Sequence, residues 1–151
     1  LKYLECCILE ALRKYPPVPL LSRYCTADYK IPKTDSVIAK GTVLQIPAYA
    51  LQRDPDVYEN PLEFQPERFI NSPTGNAKVK GLTFLSFGEG PRHCIGMRMA
   101  KLNLKLGLLQ LLTKFRFELV DRKLYDNEIE IDIKQFPTTP SGILWLKATV
   151  R

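Results

Sequence analysis

The chain has 151 residues, of which 45% are hydrophobic and 25% are charged, and 22 Lys and Arg against 16 Asp and Glu leave a net charge of +6. This composition excludes a disordered chain, and four cysteines are too few for a disulfide-dense scaffold. A single histidine and the lack of a Cys-x-x-Cys pair argue against a structural zinc site, and the positive charges are too dispersed to indicate a nucleic-acid surface.

The first 14 residues have the pattern of a helix. One face carries apolar residues at spacings of three and four, which are Leu1, Leu4, Ile8 and Ala11. The opposite face is partly apolar as well, so we expect a buried helix that ends at Pro16 and Pro17. Because neither an initiator Met nor a capping residue precedes Leu1, we expect the chain to begin inside a helix of a longer polypeptide.

The middle of the chain predicts short strands and then a long irregular stretch. Apolar and β-branched residues between turn signals indicate four strands, at residues 20–25, 28–31, 37–39 and 42–47. Residues 48–53 form one or two helical turns. Residues 54–93 are rich in proline and aromatic residues without a clear period, and so long a loop in a compact domain is usually functional.

Residues 97–114 have the pattern of a second long helix. Its apolar residues cover most of the circumference, which predicts a largely buried helix; they include Met99, Leu102, Leu104, Leu106, Leu109 and Leu111. Arg98, Lys101 and Lys105 share one narrow stripe of the same helix. The chain closes with two strand-like segments, at residues 116–120 and 143–149.

A ten-residue segment before this second helix carries the most informative chemistry. Cys94 lies on a predicted tight turn at the helix N-terminus, where the helix dipole and free N–H groups favour a thiolate. Gly90 gives the turn conformational freedom, and Gly96 lets a flat group approach the backbone closely. Arg92 is suited to bind a carboxylate, and Phe87 offers an aromatic wall against water. Together these features are typical of a haem site with a cysteine ligand.

Three motifs in this chain resemble those of one enzyme family, the cytochrome P450 monooxygenases. The string Phe87-x-x-Gly90-x-Arg92-x-Cys94-x-Gly96 resembles the haem-binding signature of that family. Upstream, Glu10-x-x-Arg13 resembles the Glu-x-x-Arg of its buried helix, and Pro66-Glu67-Arg68-Phe69 resembles the motif whose arginine joins that pair. The resemblance covers essentially the whole chain and is strongest to microsomal members of the insect detoxification type.

The resemblance implies a fold and a cofactor. The fold class is mainly α with small β-sheets (α+β), as in the C-terminal part of the cytochrome P450 fold: two long helices, short strands and an irregular meander, with residues 1–151 as a single partial domain. Cys94 is implied as the catalytic axial thiolate on the iron of haem b. The other implied cofactor-binding residues are Phe87, Gly90, Arg92, Gly96 and Arg23, of which Arg92 and Arg23 are expected at the haem propionates.

Further roles are implied for the helix, the meander and the two segments near the pocket. Glu10, Arg13 and Arg68 are expected to form a structural Glu–Arg–Arg network that supports the haem loop. Residues 18–22 and 134–137 correspond to segments that line the substrate pocket. The cationic stripe of Arg98, Lys101 and Lys105 is expected to dock an acidic electron donor, because charge complementarity sets encounter rate and orientation.

The residues taken singly leave alternatives open. Cys94 alone is compatible with an inert buried thiol, and Glu10 with Arg13 is compatible with a weak surface pair. Arg23 is equally compatible with a solvated side chain, and the cationic stripe with a solvated helix face. The remaining cysteines, Cys6, Cys7 and Cys25, are interpreted as small core residues.

The resemblance also implies an activity, a set of partners and a location. We expect a haem-thiolate monooxygenase that inserts one atom of O2 into a small lipophilic substrate. Its electrons are expected from an NADPH-dependent reductase, with cytochrome b5 as a further donor. An upstream segment is expected to attach the enzyme to the cytoplasmic face of the endoplasmic reticulum membrane. Two alternatives stay open: a haem-thiolate enzyme that rearranges peroxides, and a non-catalytic fragment or truncated product, since the chain holds no candidate for an oxygen-activating helix.

Overall fold

The protein is described from a computed structural model that covers residues 1–75, 84–120, 129–132 and 134–151. Its helices are α1 (Lys2–Lys14), α2 (Ala48–Leu51) and α3 (Met97–Lys114). Its strands are β1 (Leu21–Tyr24), β2 (Tyr29–Lys30), β3 (Val37–Ile38), β4 (Val43–Ile46), β5 (Phe115–Leu119), β6 (Ile131–Asp132), β7 (Thr139–Pro140) and β8 (Leu146–Val150). Helices combined with small antiparallel sheets confirm the predicted α+β class.

The strands pair into two-stranded antiparallel sheets. β1 pairs with β4, so that Leu21 lies opposite Ile46, and β5 pairs with β8, so that Phe115 lies opposite Val150. β2 pairs with β3 and β6 pairs with β7. The last strand begins three residues later than predicted, at Leu146, and Gly142 before it adopts a φ of +94°.

The meander, which is the segment between α2 and α3, is irregular as predicted in the part that the structure describes. Its regular parts are two 3-10 turns, Pro66–Phe69 and Gly90–Arg92. The first turn packs against α1, and the Phe69 ring meets the Phe84 ring edge to face with centroids 5.5 Å apart. Cys6 and Leu9 of α1 complete this small core. The meander is therefore held to one side of α1.

The burial of α1 agrees with the prediction on one face and departs from it on the other. Leu1 and Ala11 are exposed, although their spacing had placed them on the buried face. The side turned to the meander combines apolar and charged residues at spacings of three, one and three: Cys6, Leu9, Glu10 and Arg13. The sequence predicts burial for this partly apolar face as well, and all four residues are buried.

The prediction that α3 is largely buried is wrong for this chain. No side chain of α3 is buried, and the exposed fractions of Met99 and Leu102 are 62% and 51%. The reason is geometric: apolar residues surround α3, whereas α1 covers only one stripe of it before α3 runs into β5. In the described ranges, no helix is long and apolar enough to cross a membrane.

Of the three cysteines interpreted as core residues, the structure buries one. Cys6 is 2% exposed, whereas Cys7 and Cys25 are half-buried. Burial raises the pKa of the Cys7 thiol, with a smaller contribution from Cys6 and Glu67 nearby. All four cysteines are free thiols.

Candidate functional site

Cys94 lies at the end of a hydrogen-bonded loop that leads into α3. Its backbone N–H donates to the Phe87 carbonyl at 2.7 Å, which closes the loop at its base. Gly88 and Gly90 adopt φ angles of +67° and +73°, which only glycine adopts without strain. The turn is so tight because these two glycines reverse the chain, and it leaves the Cys94 side chain exposed. Gly96 follows as the residue that precedes α3.

The described residues at this loop fit a haem iron. A haem iron would need a ligand from the protein, and the exposed Cys94 thiol could supply it as a thiolate. A Cβ built at Gly96 would lie 3.9 Å from Cys94 Sγ, so glycine keeps this side of the sulfur bare. In the described part of the chain, no group of three or more His, Cys, Asp or Glu side chains forms a competing metal site.

The other predicted cofactor residues lie in different surroundings. Arg92 is exposed on the 3-10 turn of the loop, and Phe87 is half-buried with Lys101 Nζ 6.0 Å from its ring centroid. Arg23 is half-buried on β1, where its Nη1 donates to the Ser22 carbonyl at 2.9 Å. The structure thus brings Phe87 and Arg92 into the same loop as Cys94, while the hydrogen bond of Arg23 ties it to its own strand.

Glu10, Arg13 and Arg68 meet in a buried ionic network. Arg13 donates from Nε and Nη2 to the two oxygens of Glu10, at 2.7 Å and 2.9 Å. Arg68 Nε donates to Glu10 Oε1 at 3.2 Å, and the backbone N–H of Gln65 donates to the same oxygen at 2.9 Å. The exposed fractions of the three charged residues are 0%, 0% and 5%. Removing Glu10 from this network would leave two buried guanidiniums without a carboxylate.

The two arginines of this network also hold the meander through backbone carbonyls. Arg13 donates from Nη1 to the Gln52 carbonyl at 2.5 Å and from Nη2 to the Pro61 carbonyl at 2.8 Å. Arg68 Nη1 donates to the Glu59 carbonyl at 3.1 Å. A guanidinium has five N–H donors. Two such groups can therefore donate hydrogen bonds to backbone carbonyls that have no partner within the described part of the irregular meander itself. The charged network therefore orders the meander as well as α1.

The C-terminus of α1 is capped by side chains from the surrounding segments. A helix leaves its last four carbonyls without partners inside the helix, and Pro16 and Pro17 prevent α1 from continuing. Each of these four carbonyls accepts a hydrogen bond. The Ala11 carbonyl accepts from the backbone N–H of Tyr15 at 2.8 Å. The other three accept from side chains: Leu12 from Ser86 Oγ at 2.7 Å, Arg13 from Gln52 Nε2 at 2.9 Å, and Lys14 from Arg53 Nη1. This cap fixes the α2 segment and the cysteine loop to one helix end.

Sequence reasoning missed Gln52, Ser86 and Arg53. A signal for the cap was present, because a helix stopped by two prolines must find donors for its free carbonyls. Nothing in the sequence identifies those donors, since Gln52 and Ser86 lie far from α1 along the chain.

The cationic stripe of α3 faces α1 in part, which changes its interpretation. Lys105 Nζ lies 2.8 Å from one oxygen of Glu5, and Lys101 Nζ lies 3.8 Å from the other. The hydrogen bond from Lys105 holds the pKa of Glu5 below its ordinary value. Arg98 is exposed and forms no ion pair within the described ranges. The Glu5 carboxylate therefore offsets part of the positive charge of the stripe.

A groove of about 730 Å³ lies where the two predicted pocket segments approach each other. Pro19 and Leu20 line it from one segment and Gln135 from the other. Thr138 joins the two sides, since its backbone N–H donates to the Pro17 carbonyl at 3.0 Å. The surface of this groove is mainly apolar, which suits an apolar ligand.

Comparison with known proteins agrees with these motifs. The cytochrome P450 family model matches residues 1–146. The chain is 42% identical to "Probable cytochrome P450 6d5" of Drosophila melanogaster over 95% of its own length and 27% of that protein. It is 45% identical to cytochrome P450 6k1 of Blattella germanica over 75% of the chain and 21% of that protein. Cytochrome P450 9e2 of the same species is 39% identical over 97% of the chain and 27% of that protein.

The chain thus spans about a quarter of the length of the curated relatives that it matches. The family model nevertheless covers nearly all of the chain, including the cysteine loop, α1 and the 3-10 turn of Arg68. On this evidence the chain belongs to the cytochrome P450 family.

Proposed function

We propose that the protein containing this chain inserts one oxygen atom from O2 into a small lipophilic substrate, and that residues 1–151 are its haem-cradling C-terminal portion. One observation carries the proposal: an exposed thiol ends a closed, glycine-dependent loop directly before α3, inside a chain that the family model matches over residues 1–146. The loop offers what a haem iron requires from a protein, which is a single thiolate with room beside it.

Each residue of the loop has a separate task in this proposal. Cys94 would hold the iron of haem b as a thiolate ligand, and Arg92 would bind a haem propionate. Phe87 limits the access of water to the sulfur, and Gly96 leaves the space beside it bare. Arg23 is proposed as a second propionate ligand. When bound, the haem supplies the oxidising chemistry, because thiolate donation to its iron favours cleavage of the O–O bond.

The supporting residues hold this loop rather than touch the substrate. The carboxylate of Glu10 neutralises one charge of the Arg13 and Arg68 pair, and the guanidiniums fix the meander carbonyls. The groove beside Pro19, Leu20 and Gln135 would take the apolar part of the substrate. The same proposal includes attachment to the cytoplasmic face of the endoplasmic reticulum membrane through a segment upstream. This part rests on the resemblance to microsomal members of the family.

The test of this function begins with the coding sequence upstream of Leu1. We expect an open reading frame that encodes an acid–Thr pair on a long helix, which the family uses to activate oxygen. The complete polypeptide, purified with haem and supplied with a reductase, should consume NADPH and O2 and oxygenate lipophilic probe substrates. An in-frame stop codon directly upstream would contradict the proposal in favour of a truncated product. Turnover of peroxides with no use of NADPH or O2 would identify a peroxide-rearranging enzyme instead.

We propose Arg98, Lys101 and Lys105 as the surface that docks an NADPH-dependent reductase, with cytochrome b5 as a further donor. Glu5 cancels one of the two lysine charges, so the Lys101, Lys105 and Glu5 group carries +1 and Arg98 carries another. Arg98 is the exposed cation of the three. The net positive charge of this surface would attract an acidic partner, mainly through the rate of encounter.

Charge changes at this surface should alter reductase-driven turnover in opposite directions. Arg98→Gln is expected to slow it several-fold at low ionic strength, and Glu5→Gln, which removes the only acid of the group, is expected to speed it. Both effects should fade as salt screens the charges over about 10 Å at 0.1 M. Lys147→Gln on β8 is the matched control of equal charge change. If Arg98→Gln reduces peroxide-driven turnover as much as reductase-driven turnover, the effect is not one of docking.

A further inference from the structure

Gln52 joins the charged network on α1 to the base of the cysteine loop. It is 0% exposed, and both its side-chain nitrogen and its side-chain oxygen form hydrogen bonds. Nε2 donates to the Arg13 carbonyl at 2.9 Å, and Oε1 accepts from the Leu85 N–H at 2.6 Å. The Ser86 hydroxyl lies 3.2 Å from the same Oε1 and donates to the Leu12 carbonyl at 2.7 Å. The start of the loop is thus attached to the end of α1 by two neighbouring residues.

Two hydrogen bonds within the loop, joined by the chain itself, lead from this attachment to Cys94. The Leu85 carbonyl accepts from the Gly88 N–H at 2.9 Å, which forms the first turn of the loop. The Phe87 carbonyl then accepts from the Cys94 N–H at 2.7 Å. Because Leu85, Phe87 and Cys94 are connected in this way, a shift of Leu85 would be carried to the backbone of Cys94.

We propose that Gln52 is a positioning residue for Cys94, which sets where the thiolate stands and so keeps it on the iron. The proposal rests on the proposed function in one respect, that Cys94 ligates the haem. Gln52 needs an amide because the Arg13 carbonyl requires a donor while the Leu85 N–H requires an acceptor, and both are buried. Leucine offers neither group, and an ionised glutamate offers only acceptors.

The test is Gln52→Leu in the complete, haem-loaded protein. At equal haem content, we expect a smaller share of the ferrous carbon-monoxide complex to show the thiolate signature. On mild warming, the complex should lose its thiolate signature about tenfold faster than in the wild type. A tenfold change is the scale expected when a buried backbone group, such as the Leu85 N–H, is left without its hydrogen-bond partner. Hydrogen exchange of a peptide that spans residues 84–94 should also be faster. Ser86→Ala, which removes only a hydroxyl, should change the thiolate signature and the hydrogen exchange in the same direction, but by less. This variant replaces Gln52→Leu in the test if Gln52→Leu is insoluble.

Two control variants separate positioning from general destabilisation. Ile8→Ala removes buried apolar volume from α1 without removing a hydrogen bond of Gln52, and Gln45→Leu makes the same chemical change on the exposed side of β4. Both should keep the thiolate share of the wild type. The inference is overturned if Gln52→Leu lowers the haem content but leaves the thiolate share and the hydrogen exchange of residues 84–94 unchanged. It is also overturned if Ile8→Ala changes the thiolate share and this exchange as much as Gln52→Leu does.

The outcome for the wild type separates this inference from the proposed function. A wild-type protein without any thiolate signature contradicts the assignment of Cys94 as ligand. In that case hydrogen exchange alone decides on Gln52: faster exchange of residues 84–94 in Gln52→Leu than in Ile8→Ala supports the positioning role, and equal exchange refutes it.

Discussion

Replacing Cys94 with serine in the complete protein is expected to abolish the thiolate signature of the ferrous carbon-monoxide complex, and with it the monooxygenase turnover. A serine hydroxyl does not provide the electron donation of a thiolate, which the oxygen chemistry of a haem-thiolate enzyme requires. No other soft donor follows in the loop. The adjacent His93 has its Nδ1 3.0 Å from the Gly90 carbonyl, which leaves Nε2 as the nitrogen that could replace the thiolate.

The control for this variant is Cys25→Ser. Cys25 Sγ donates to the Ala27 carbonyl at 3.0 Å, and a serine hydroxyl can make the same bond, so haem content and spectrum should stay as in the wild type. If the Cys94→Ser protein shows an imidazole-type spectrum, a double variant with His93→Gln will show whether His93 has replaced the thiolate. Retention of the thiolate signature in Cys94→Ser would contradict the assignment of the ligand.

Local motifs allowed much of the fold and the cysteine loop to be predicted. The two glycines of the loop, the prolines after α1 and the apolar runs between turns act over a few residues, so their structural effect can be read from the sequence directly. Strand pairs such as β1 with β4 are close along the chain, and their positions agree with prediction to within two residues. The pattern of residues 97–114 gave α3 with its observed bounds.

Contacts between distant segments were not predictable in the same way. The lysines of α3 looked like a free surface because their partner, Glu5, belongs to a helix about 100 residues earlier in the chain. Burial of α3 was overestimated because periodicity describes which faces are apolar but does not say what covers them. Gln52 carried no signal, since a single glutamine directly after a short helix is ordinarily a surface residue. These features depend on tertiary packing, which a pattern along one chain does not contain.

Glu10→Gln is expected to cause the largest loss of stability of any substitution in the ionic network. It leaves the guanidiniums of Arg13 and Arg68 buried without a carboxylate, and breaking a buried pair in this way costs about 3–5 kcal/mol. That cost corresponds to a factor of more than about 100 in the ratio of folded to unfolded protein. Both arginines also hold carbonyls of the meander, so we expect most of the expressed protein to lack haem or to aggregate.

The matched control is Glu67→Gln, which makes the same chemical change next to Arg68 on the sequence. Glu67 is exposed and accepts a hydrogen bond from the Tyr3 hydroxyl at 3.1 Å, a contact that raises the pKa of Tyr3. Losing such an exposed contact should change the unfolding midpoint little, and haem content should stay near the wild-type value. Equal haem content and unfolding midpoints in Glu10→Gln and the wild type would show that the backbone carbonyls suffice for the two guanidiniums.

A double variant distinguishes uncompensated charge from lost packing as the cause of the damage. If charge is the cause, removing one guanidinium with Arg68→Met should be less harmful in the Glu10→Gln background than in the wild type, because it reduces the buried charge that Glu10→Gln has left unpaired. If packing is the cause, the two losses in unfolding free energy should add. The contacts favour the first outcome, since all three side chains are at most 5% exposed and Glu10 Oε1 accepts from both arginines. Strict additivity would therefore refute a shared electrostatic role of Glu10.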